Sequence, residues 1–227
     1  IAIHMYTQLG FEKMANKREI IAKKYGILII VDEVMSGFGR CGNWFAIQNT
    51  SVTPDLIVMA KGINSGYVPL GGVMVSKDIC DYFDDKPLPL GLTYSAHALA
   101  CASAIANIKV MKENKLPERA KEMESYLIKK IDELKEIHPS IGDFRCTGLL
   151  GCIELVKDRE TREPLVPWNA KPSEMGPTNT IAASLRQNGM MTFVRWNWIF
   201  IAPPLIITKA QIDEGVAIIS EAIRLVE

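Results

Sequence analysis

The stretch LIVMAKGINSGYVPLGG, residues 56–72, joins an apolar segment to a glycine-rich loop through one lysine, Lys61. The segment PDLIVMA (54–60) has the continuous apolar character of a strand that is buried in a parallel sheet. Most lysines are surface charges. A lysine at the carboxyl end of such a strand occupies the place where open α/β sheets bind their ligands. Lys61 is therefore a candidate functional residue.

A second apolar segment, ILIIV (27–31), ends directly at Asp32. It is typical of a short strand that is buried on both faces of a parallel sheet, so we expect Asp32 at the same kind of sheet edge as Lys61. An ionised carboxylate there needs a cation or hydrogen-bond donors. Asp32 alone is equally well explained as a helix cap or a structural ion pair, and Lys61 alone as a surface charge.

Together, Asp32 and Lys61 form the pair that a pyridoxal phosphate (PLP) site requires. A buried lysine loses its proton easily and can form an imine with an aldehyde. A carboxylate can hold a pyridinium nitrogen in its protonated form, which keeps the ring an effective electron sink. The glycines at 62, 66, 71 and 72 would leave room around a cofactor, although glycine-rich loops also occur for turn geometry alone.

Composition narrows the choice of partners. The 227 residues suffice for one large domain or two small ones, and 48% hydrophobic with 23% charged residues is typical of a globular protein. The 26 basic and 26 acidic side chains cancel, so neither a nucleic acid nor a membrane partner is indicated. Five cysteines without a CxxC pair indicate core thiols in a reducing cytoplasm and no metal site. Because Ile1 is not an initiator methionine, we expect a fragment.

Periodicity and turn residues predict the remaining elements. PLGGVMVS (69–76) reads as a third strand near a sheet edge, because proline and paired glycines are poorly placed centrally. A capping box of Thr208 and Gln211 predicts the start of a terminal amphipathic helix. The other predicted elements are helices at 10–25, 98–112 and 117–138, a strand at 148–156, a loop at 158–177, and a hairpin formed by MMTFVR and WIFIAP.

Several longer segments resemble the class III (omega) aminotransferases. They are IIVDEVMSGFGRCGNWFA, PDLIVMAKGINSGYVPLGGVMVS and GLTYSAHALACASAIAN, while FRCTGLLGCIELV and VRWNWIFIAPPLIIT are similar to the C-terminal domain of that family. The resemblance covers nearly the whole chain after about residue 20. It implies an α/β fold of the aspartate aminotransferase-like type, fold type I. Residues 1–115 would be the C-terminal part of the PLP-binding large domain, and residues 116–227 an α+β small domain.

The resemblance also implies roles for individual residues. Lys61 matches the Schiff-base lysine, Asp32 the partner of the pyridine nitrogen, and Val34 the residue that packs against one face of the ring. Thr93 matches the threonine that donates to the cofactor phosphate of the neighbouring subunit, which implies a homodimer. Arg195 is similar to the arginine that binds a substrate's acidic group. Its simpler explanation is a surface charge at a strand end.

The sequence departs from the family pattern in three places. Ala96 and Ala98 stand around His97 where the family more often has glycine and proline, and the segment IAIHMYTQLGFEKMANKRE lacks the usual proline-rich, Gly-Tyr entry to its helix. The N-terminal half of the family is absent, with its phosphate-binding loop, its stacking aromatic residue and its first strands. If the chain were complete, its cofactor site would be incomplete and its sheet would have a long unpaired edge.

The resemblance implies a transaminase that moves an amino group from an omega-amino acid or amine, with taurine as a candidate donor, to an oxo acid such as pyruvate. An aminomutase or racemase of the same fold would use the same Lys61 and Asp32. An inactive fragment that serves as a structural or interaction domain is a further alternative. A Cys/His hydrolase is disfavoured, because nothing in the sequence pairs His97 with a cysteine.

Overall fold

The computed structural model describes residues 8–227, with side chains from residue 16 onward. Residues 1–7, where the sequence indicates the start of a fragment, lie outside the described residues. The chain divides into two compact units, the first ending at Glu118 and the second running from Arg119 to its last residue. None of the helices in this part of the chain combines the length and apolar character needed to cross a membrane.

The first unit contains helices and a small mixed sheet. Its elements are α1 (Gln8–Tyr25), β1 (Ile30–Asp32), β2 (Leu56–Met59), β3 (Gly72–Val75), α2 (Lys77–Tyr82) and α3 (Ala98–Glu113). The sheet has the order β1-β2-β3. Strand β1 runs parallel to β2, with Asp32 opposite Val58, and β3 runs antiparallel to β2. The α/β character, the edge position of the third strand and both predicted helices of this unit are confirmed.

The expected burial of these strands is wrong for the described chain. Only three residues pair in β1, and Ile27, Leu28 and Ile30 are 57%, 57% and 63% exposed. Val73 and Met74 in β3 are at least half exposed, and β2 is half-buried throughout. An apolar run indicates that both faces of a strand favour burial, but the side chains that bury these faces come from other elements. The residues of this unit that the structure describes do not bury both faces of its strands.

The second unit is built around an antiparallel sheet of order β4-β5-β8-β7, with β6 paired to β5. Its elements are α4 (Leu116–Ile137), β4 (Ile141–Thr147), β5 (Leu150–Asp158), β6 (Glu163–Pro164), α5 (Gly176–Gln187), β7 (Val194–Arg195), β8 (Trp198–Ile201) and α6 (Lys209–Arg224). Helix α4 begins just before the division between the two units. The predicted helix at 117–138, the strand at 148–156 and the hairpin are confirmed.

Some predictions for the second unit are confirmed in atomic detail and others fail. The Thr208 hydroxyl accepts a hydrogen bond from Gln211 N (3.3 Å), and Gln211 Oε1 accepts one from Thr208 N (3.0 Å), which confirms the capping box. Neither β4 nor α5 is predicted by the sequence pattern. The segment predicted as a loop at 158–177 contains the short β6 and the first two residues of α5. Brief pairings and a helix of low apolar content leave little periodic signal.

A single apolar core holds the second unit together. Helix α4 is amphipathic, and its inward side chains, such as Ile131, are fully buried against β5, β8, α5 and α6. Ile153 of β5, Ile199 of β8 and Ile223 of α6 are also completely buried. Each buried side chain of this size contributes about 1.5–3 kcal/mol. The described residues that form this core all lie between Ala120 and Val226, within the second unit.

The cysteines differ in environment, so the prediction of core thiols holds only in part. Cys41 and Cys152 are buried, whereas Cys80 is exposed. Burial raises the pKa of the Cys152 thiol to about 12. A thiol with such a high pKa carries almost no thiolate at neutral pH and is chemically inert.

A buried polar cluster ties the end of the chain to the turn after α4. His138 is 1% exposed, and its Nδ1 donates to Glu227 Oε2 (2.8 Å) because a carboxylate can only accept. In the neutral ring Nε2 then accepts from Ser220 Oγ (2.7 Å). The Ser140 hydroxyl donates to Glu227 Oε1 (2.8 Å). Partial burial of the Glu227 carboxyl favours its neutral form, but the hydrogen bonds outweigh burial and lower its pKa.

Replacing Glu227 with Gln is expected to destabilise the protein in a pH-dependent way. A lowered folded-state pKa adds stability above the unfolded pKa of about 4.3, and this stability is lost as the pH falls through the folded value. We expect a loss in unfolding free energy of about 1 kcal/mol at pH 7 that disappears at low pH. Denaturant unfolding between pH 3 and 7 measures it, with Glu221→Gln on the exposed face of α6 as control. A pH-independent difference would contradict this assignment.

Candidate functional site

Asp32 ends β1, and its carboxylate is available for a ligand. Its Oδ1 accepts a hydrogen bond from the Val34 amide (2.9 Å), which stabilises a turn and not a helix. Among residues 16–227, no basic side chain forms an ion pair with it. The explanations as a helix cap or a structural ion pair therefore find no support in the described side chains.

Lys61 follows β2 and opens a short 3₁₀ helix, Lys61–Ile63. Because Asp32 pairs with Val58, the lysine lies at the same end of the adjacent parallel strand, as the sequence predicts. Its backbone has a φ of 45°, a left-handed conformation that costs a non-glycine residue on the order of 1 kcal/mol. The side chain is exposed, which corrects the expectation of a buried amine. It has no ion-pair partner in the described part of the chain.

Glu33, next to Asp32, anchors the segment that follows β1. The side chain is 1% exposed, and Oε1 accepts a hydrogen bond from Ile47 N (2.7 Å). Its Oε2 accepts from Ala46 N (3.0 Å) and from Ser36 Oγ (2.5 Å). Three donors compensate the buried charge. Sequence reasoning missed this residue, and the only signal available was a second carboxylate directly after an apolar strand.

The loops that follow β1 and β2 touch at a glycine. A Cβ atom placed on Gly62 would lie 2.8 Å from Phe38 Cβ and 3.5 Å from the carbonyl oxygen of Gly37. Real Cβ atoms essentially never approach so closely, so only glycine fits next to Lys61 without a shift of either loop. Phe38 is in turn buried against Phe45, with ring centroids 5.4 Å apart. The position of Lys61 is thereby coupled to the loop that begins at Asp32.

Val34 and Thr93 have different surroundings. Val34 is half-buried beside Asp32, to which its amide donates. Thr93 is exposed in a turn closed by hydrogen bonds from Ser95 N and Oγ to Leu92 O (3.0 and 2.8 Å). No hydrogen bond joins Thr93 to Asp32 or Lys61 among the residues that the structure describes. The resemblance implies that Thr93 donates to a cofactor phosphate across a subunit boundary, and this role stays a prediction.

The turn after Thr93 keeps a glycine-like backbone despite its alanine. Ala96 has a φ of 53°, a conformation that glycine adopts without cost. His97 follows as the N-cap of α3, where its Nδ1 accepts a hydrogen bond from Leu99 N (3.2 Å). At Ala96 this left-handed conformation therefore costs more than it would for a glycine. A histidine engaged as a cap offers no support for a Cys/His hydrolase.

Arg195 belongs to the second unit and lies at the end of β7. It is exposed, and its guanidinium carbon lies 4.0 Å from the ring centroid of Trp196. Trp196 also contacts Trp198 and Trp168, with centroid distances of 5.3 and 5.4 Å. The described residues contain no group of three or more potential metal ligands.

The chain matches the family model for class III aminotransferases over residues 11–223. It is 40% identical over 199 residues to a putrescine–pyruvate aminotransferase of Pseudomonas aeruginosa, covering 87% of this chain and 42% of the relative. A probable gamma-aminobutyrate transaminase 4 of Oryza sativa subsp. japonica is 34% identical, with coverages of 96% and 44%. The chain thus spans less than half the length of these curated relatives.

A solved structure with a similar fold is the taurine:2-oxoglutarate aminotransferase of Bifidobacterium kashiwanohense, in complex with PLP and glutamate. The TM-score is 0.88 at 44% sequence identity, covering 93% of this chain and 47% of that chain. The protein belongs to the class III aminotransferases, whose cofactor is PLP. The fold is the corresponding part of a PLP-dependent transferase.

Replacing Gly62 with Ala is expected to destabilise the protein by about 1–3 kcal/mol, because the new methyl group overlaps Phe38. The free energy of unfolding in denaturant measures the effect. Gly91→Ala, in another loop, is the matched control, because a Cβ there meets nothing within 4 Å and the residue has no left-handed φ. Equal stabilities of the two variants would show that the loops do not pack as described.

Proposed function

We propose that the protein is a PLP-dependent transaminase that moves an amino group from an omega-amino acid or amine, with taurine as a candidate donor, to an oxo acid such as pyruvate. The observation that carries this proposal is a carboxylate, Asp32, that forms no ion pair with the described side chains, and an amine, Lys61, at the carboxyl ends of adjacent parallel strands. The proposal concerns the whole protein, because this chain spans less than half the length of the relatives that it matches.

The residues present fit the cofactor. Within residues 16–227 the Asp32 carboxylate accepts one hydrogen bond, from Val34, and it can accept another from a protonated pyridine nitrogen. The Lys61 amine, without an ion-pair partner in the described residues, can bond the cofactor's aldehyde. Val34 would lie against one face of the ring. Thr93 would donate to the phosphate bound by the neighbouring subunit.

When bound, PLP supplies an aldehyde that captures amines and a ring that accepts electron density from the substrate carbon. Asp32 would keep a proton on the ring nitrogen by its negative charge. Lys61 would first hold the cofactor and then, displaced by the donor's amino group, remove the proton from the carbon that bears this group. The resulting Lys61 ammonium would pass that proton on to the cofactor, and in the second half of the reaction the same amine would carry a proton back to the carbon of the oxo acid that receives the amino group. Lys61 and Asp32 therefore have separate tasks.

Arg195 supports a donor or acceptor that bears an acidic group. Its guanidinium presents several N–H donors that match carboxylate or sulfonate oxygens. Stacking on Trp196 limits the orientations available to the side chain. An omega-amine donor and an oxo-acid acceptor are supported by the similarity to a taurine:2-oxoglutarate aminotransferase and to a putrescine–pyruvate aminotransferase.

We also propose a homodimer that works in the cytoplasm. The turn with Thr93 carries exposed apolar side chains on both sides, Leu92 at 80% and Tyr94 at 83% exposure. Large exposed apolar side chains in one segment are typical of an interaction surface. A balanced charge of 26 basic and 26 acidic residues gives no support for nucleic acid as a partner.

Lys61→Ala is expected to abolish the visible absorption band of lysine-bound PLP and to lower kcat by roughly 10²–10⁴-fold, because the general base is lost. Absorption spectra and a coupled assay with taurine and pyruvate measure the two effects. Lys77→Ala, which removes a surface lysine paired with Asp81, is the control and should resemble the wild type. A band that survives in Lys61→Ala would overturn the assignment.

The same assay separates the alternative functions. A transaminase yields a carbonyl product from the donor and alanine from pyruvate in equal amounts. An aminomutase or racemase binds PLP without releasing such a product. Wild-type protein that binds no PLP would identify an inactive structural or interaction domain.

Arg195→Ala is expected to raise the KM for acid-bearing substrates by roughly 10–100-fold, the effect of losing a charged hydrogen bond. An amine without an acidic group, such as putrescine, should show a much smaller change as donor. Steady-state kinetics with both donor types measure this difference. Arg186→Ala at the exposed end of α5 is the control. Equal changes for both donors would contradict a role in binding the acidic group.

A further inference from the structure

Asn107 of α3 reaches the backbone that carries Lys61. Its Nδ2 lies 2.9 Å from the carbonyl oxygen of Gly62 and 3.2 Å from that of Ile63, the two residues that follow the lysine. Its Oδ1 accepts a hydrogen bond from Ser65 Oγ (2.7 Å). One half-buried amide thus forms hydrogen bonds with three residues of the loop, Gly62, Ile63 and Ser65.

The loop's own hydrogen bonds differ in length, from 3.1 Å between Ile63 N and Ala60 O to a longer bond at Lys61 itself. The 3₁₀ turn is closed by a bond from Asn64 N to Lys61 O that is 3.4 Å long, near the limit for a hydrogen bond. Lys61 itself holds a φ of 45°, which the surrounding structure must stabilise. Positive φ values also occur in other turns, for example at Arg162 and Asn169. The side-chain contacts, and not the φ value, distinguish the Lys61 turn.

Asn107 and Phe38 hold this loop through different elements. Phe38 blocks movement of Gly62 toward the loop after β1 by direct contact. Asn107 holds the Gly62 and Ile63 carbonyls from α3, the helix whose Ala104 and Met111 are buried. Steric contact limits movement in one direction, whereas hydrogen bonds fix the orientation of the peptide planes. The Gly62 peptide plane adjoins the plane that joins Lys61 to Gly62, so fixing it limits how far the backbone of Lys61 can turn.

We propose that Asn107 is a positioning residue that holds the peptide planes of Gly62 and Ile63, and thereby restrains the loop backbone that directs the Lys61 amine toward its reacting partner. The inference rests on the proposed function of Lys61. Asn107 touches neither cofactor nor substrate in this proposal and acts through the loop alone. Its two N–H groups are the essential feature, because they bind the carbonyls.

The test is Asn107→Asp, which keeps the shape of the side chain and its acceptor for Ser65 but removes both N–H donors. We expect kcat to fall by roughly 10–100-fold, the effect of misplacing a reacting group by about 1 Å, while KM changes less than about two-fold. The dissociation constant of PLP should rise, because the lysine holds the cofactor. Amide hydrogen exchange in the peptide covering 61–66 should become faster in the cofactor-free protein as well.

Two further variants separate the donors from other effects. Ser65→Ala removes only the bond to Oδ1 and should leave kcat within about two-fold of the wild type. Asn114→Asp makes the same chemical change at the end of the same helix, where Nδ2 donates to Val110 O (2.8 Å). It controls for a general loss of α3 stability. Asn107→Ala is the second test variant and should behave like Asn107→Asp.

The outcomes distinguish this inference from the proposed function. If the wild type binds no PLP, the proposed function fails, and faster exchange at 61–66 in Asn107→Asp alone still supports the anchoring of the loop. If the wild type is active and Asn107→Asp matches Asn114→Asp in kcat, PLP binding and exchange, the positioning role is overturned. Failure of both Asn107 variants to fold, while Asn114→Asp folds, would also overturn it, since Asn107 would then be required for folding.

Discussion

The parallel pairing of β1 with β2 is the interaction on which the rest of the site depends. It places the ends of two apolar strands side by side, so that Asp32 and Lys61 emerge at one edge although 29 residues separate them. Pairing alone fixes strands and not loops. The loops are fixed by the contact of Gly62 with Phe38 and by the buried carboxylate of Glu33. Each contact requires a particular residue, which gives the edge one defined form.

The sequence predicts the features that depend on local pattern. Amphipathic periodicity indicated α4, and the spacing of Thr208 and Gln211 indicated the start of α6. It could not predict β4, because pairing between strands depends on a partner and not only on the strand's own residues. The prediction that β1 is buried was wrong for a related reason, because the residues that bury a sheet face belong to other elements. Local patterns thus predict elements better than their surroundings.

The same distinction holds within the candidate site. Asp32 and Lys61 could be found because a charge directly after an apolar strand is unusual. Glu33 and Asn107 could not, because an acidic residue near a loop and an asparagine within a helix are common. Their importance appears only once Ala46, Ile47, Gly62 and Ile63 are seen as their partners. Supporting residues are defined by contacts that span 13 to 45 positions.

The hairpin with Arg195 shows how the second unit presents a charge on a rigid base. Trp196 opens the two-residue turn with a φ of 52°, a conformation that a bulky residue adopts only under constraint. The constraint comes from both residues of the turn. Thr178 donates to the Trp196 carbonyl, and buried Asn197 donates to Leu155 O (3.1 Å). A turn held on both sides cannot relax its strain by local movement. Arg195 therefore extends from a fixed backbone, and an anion that binds it needs to order only the arginine side chain.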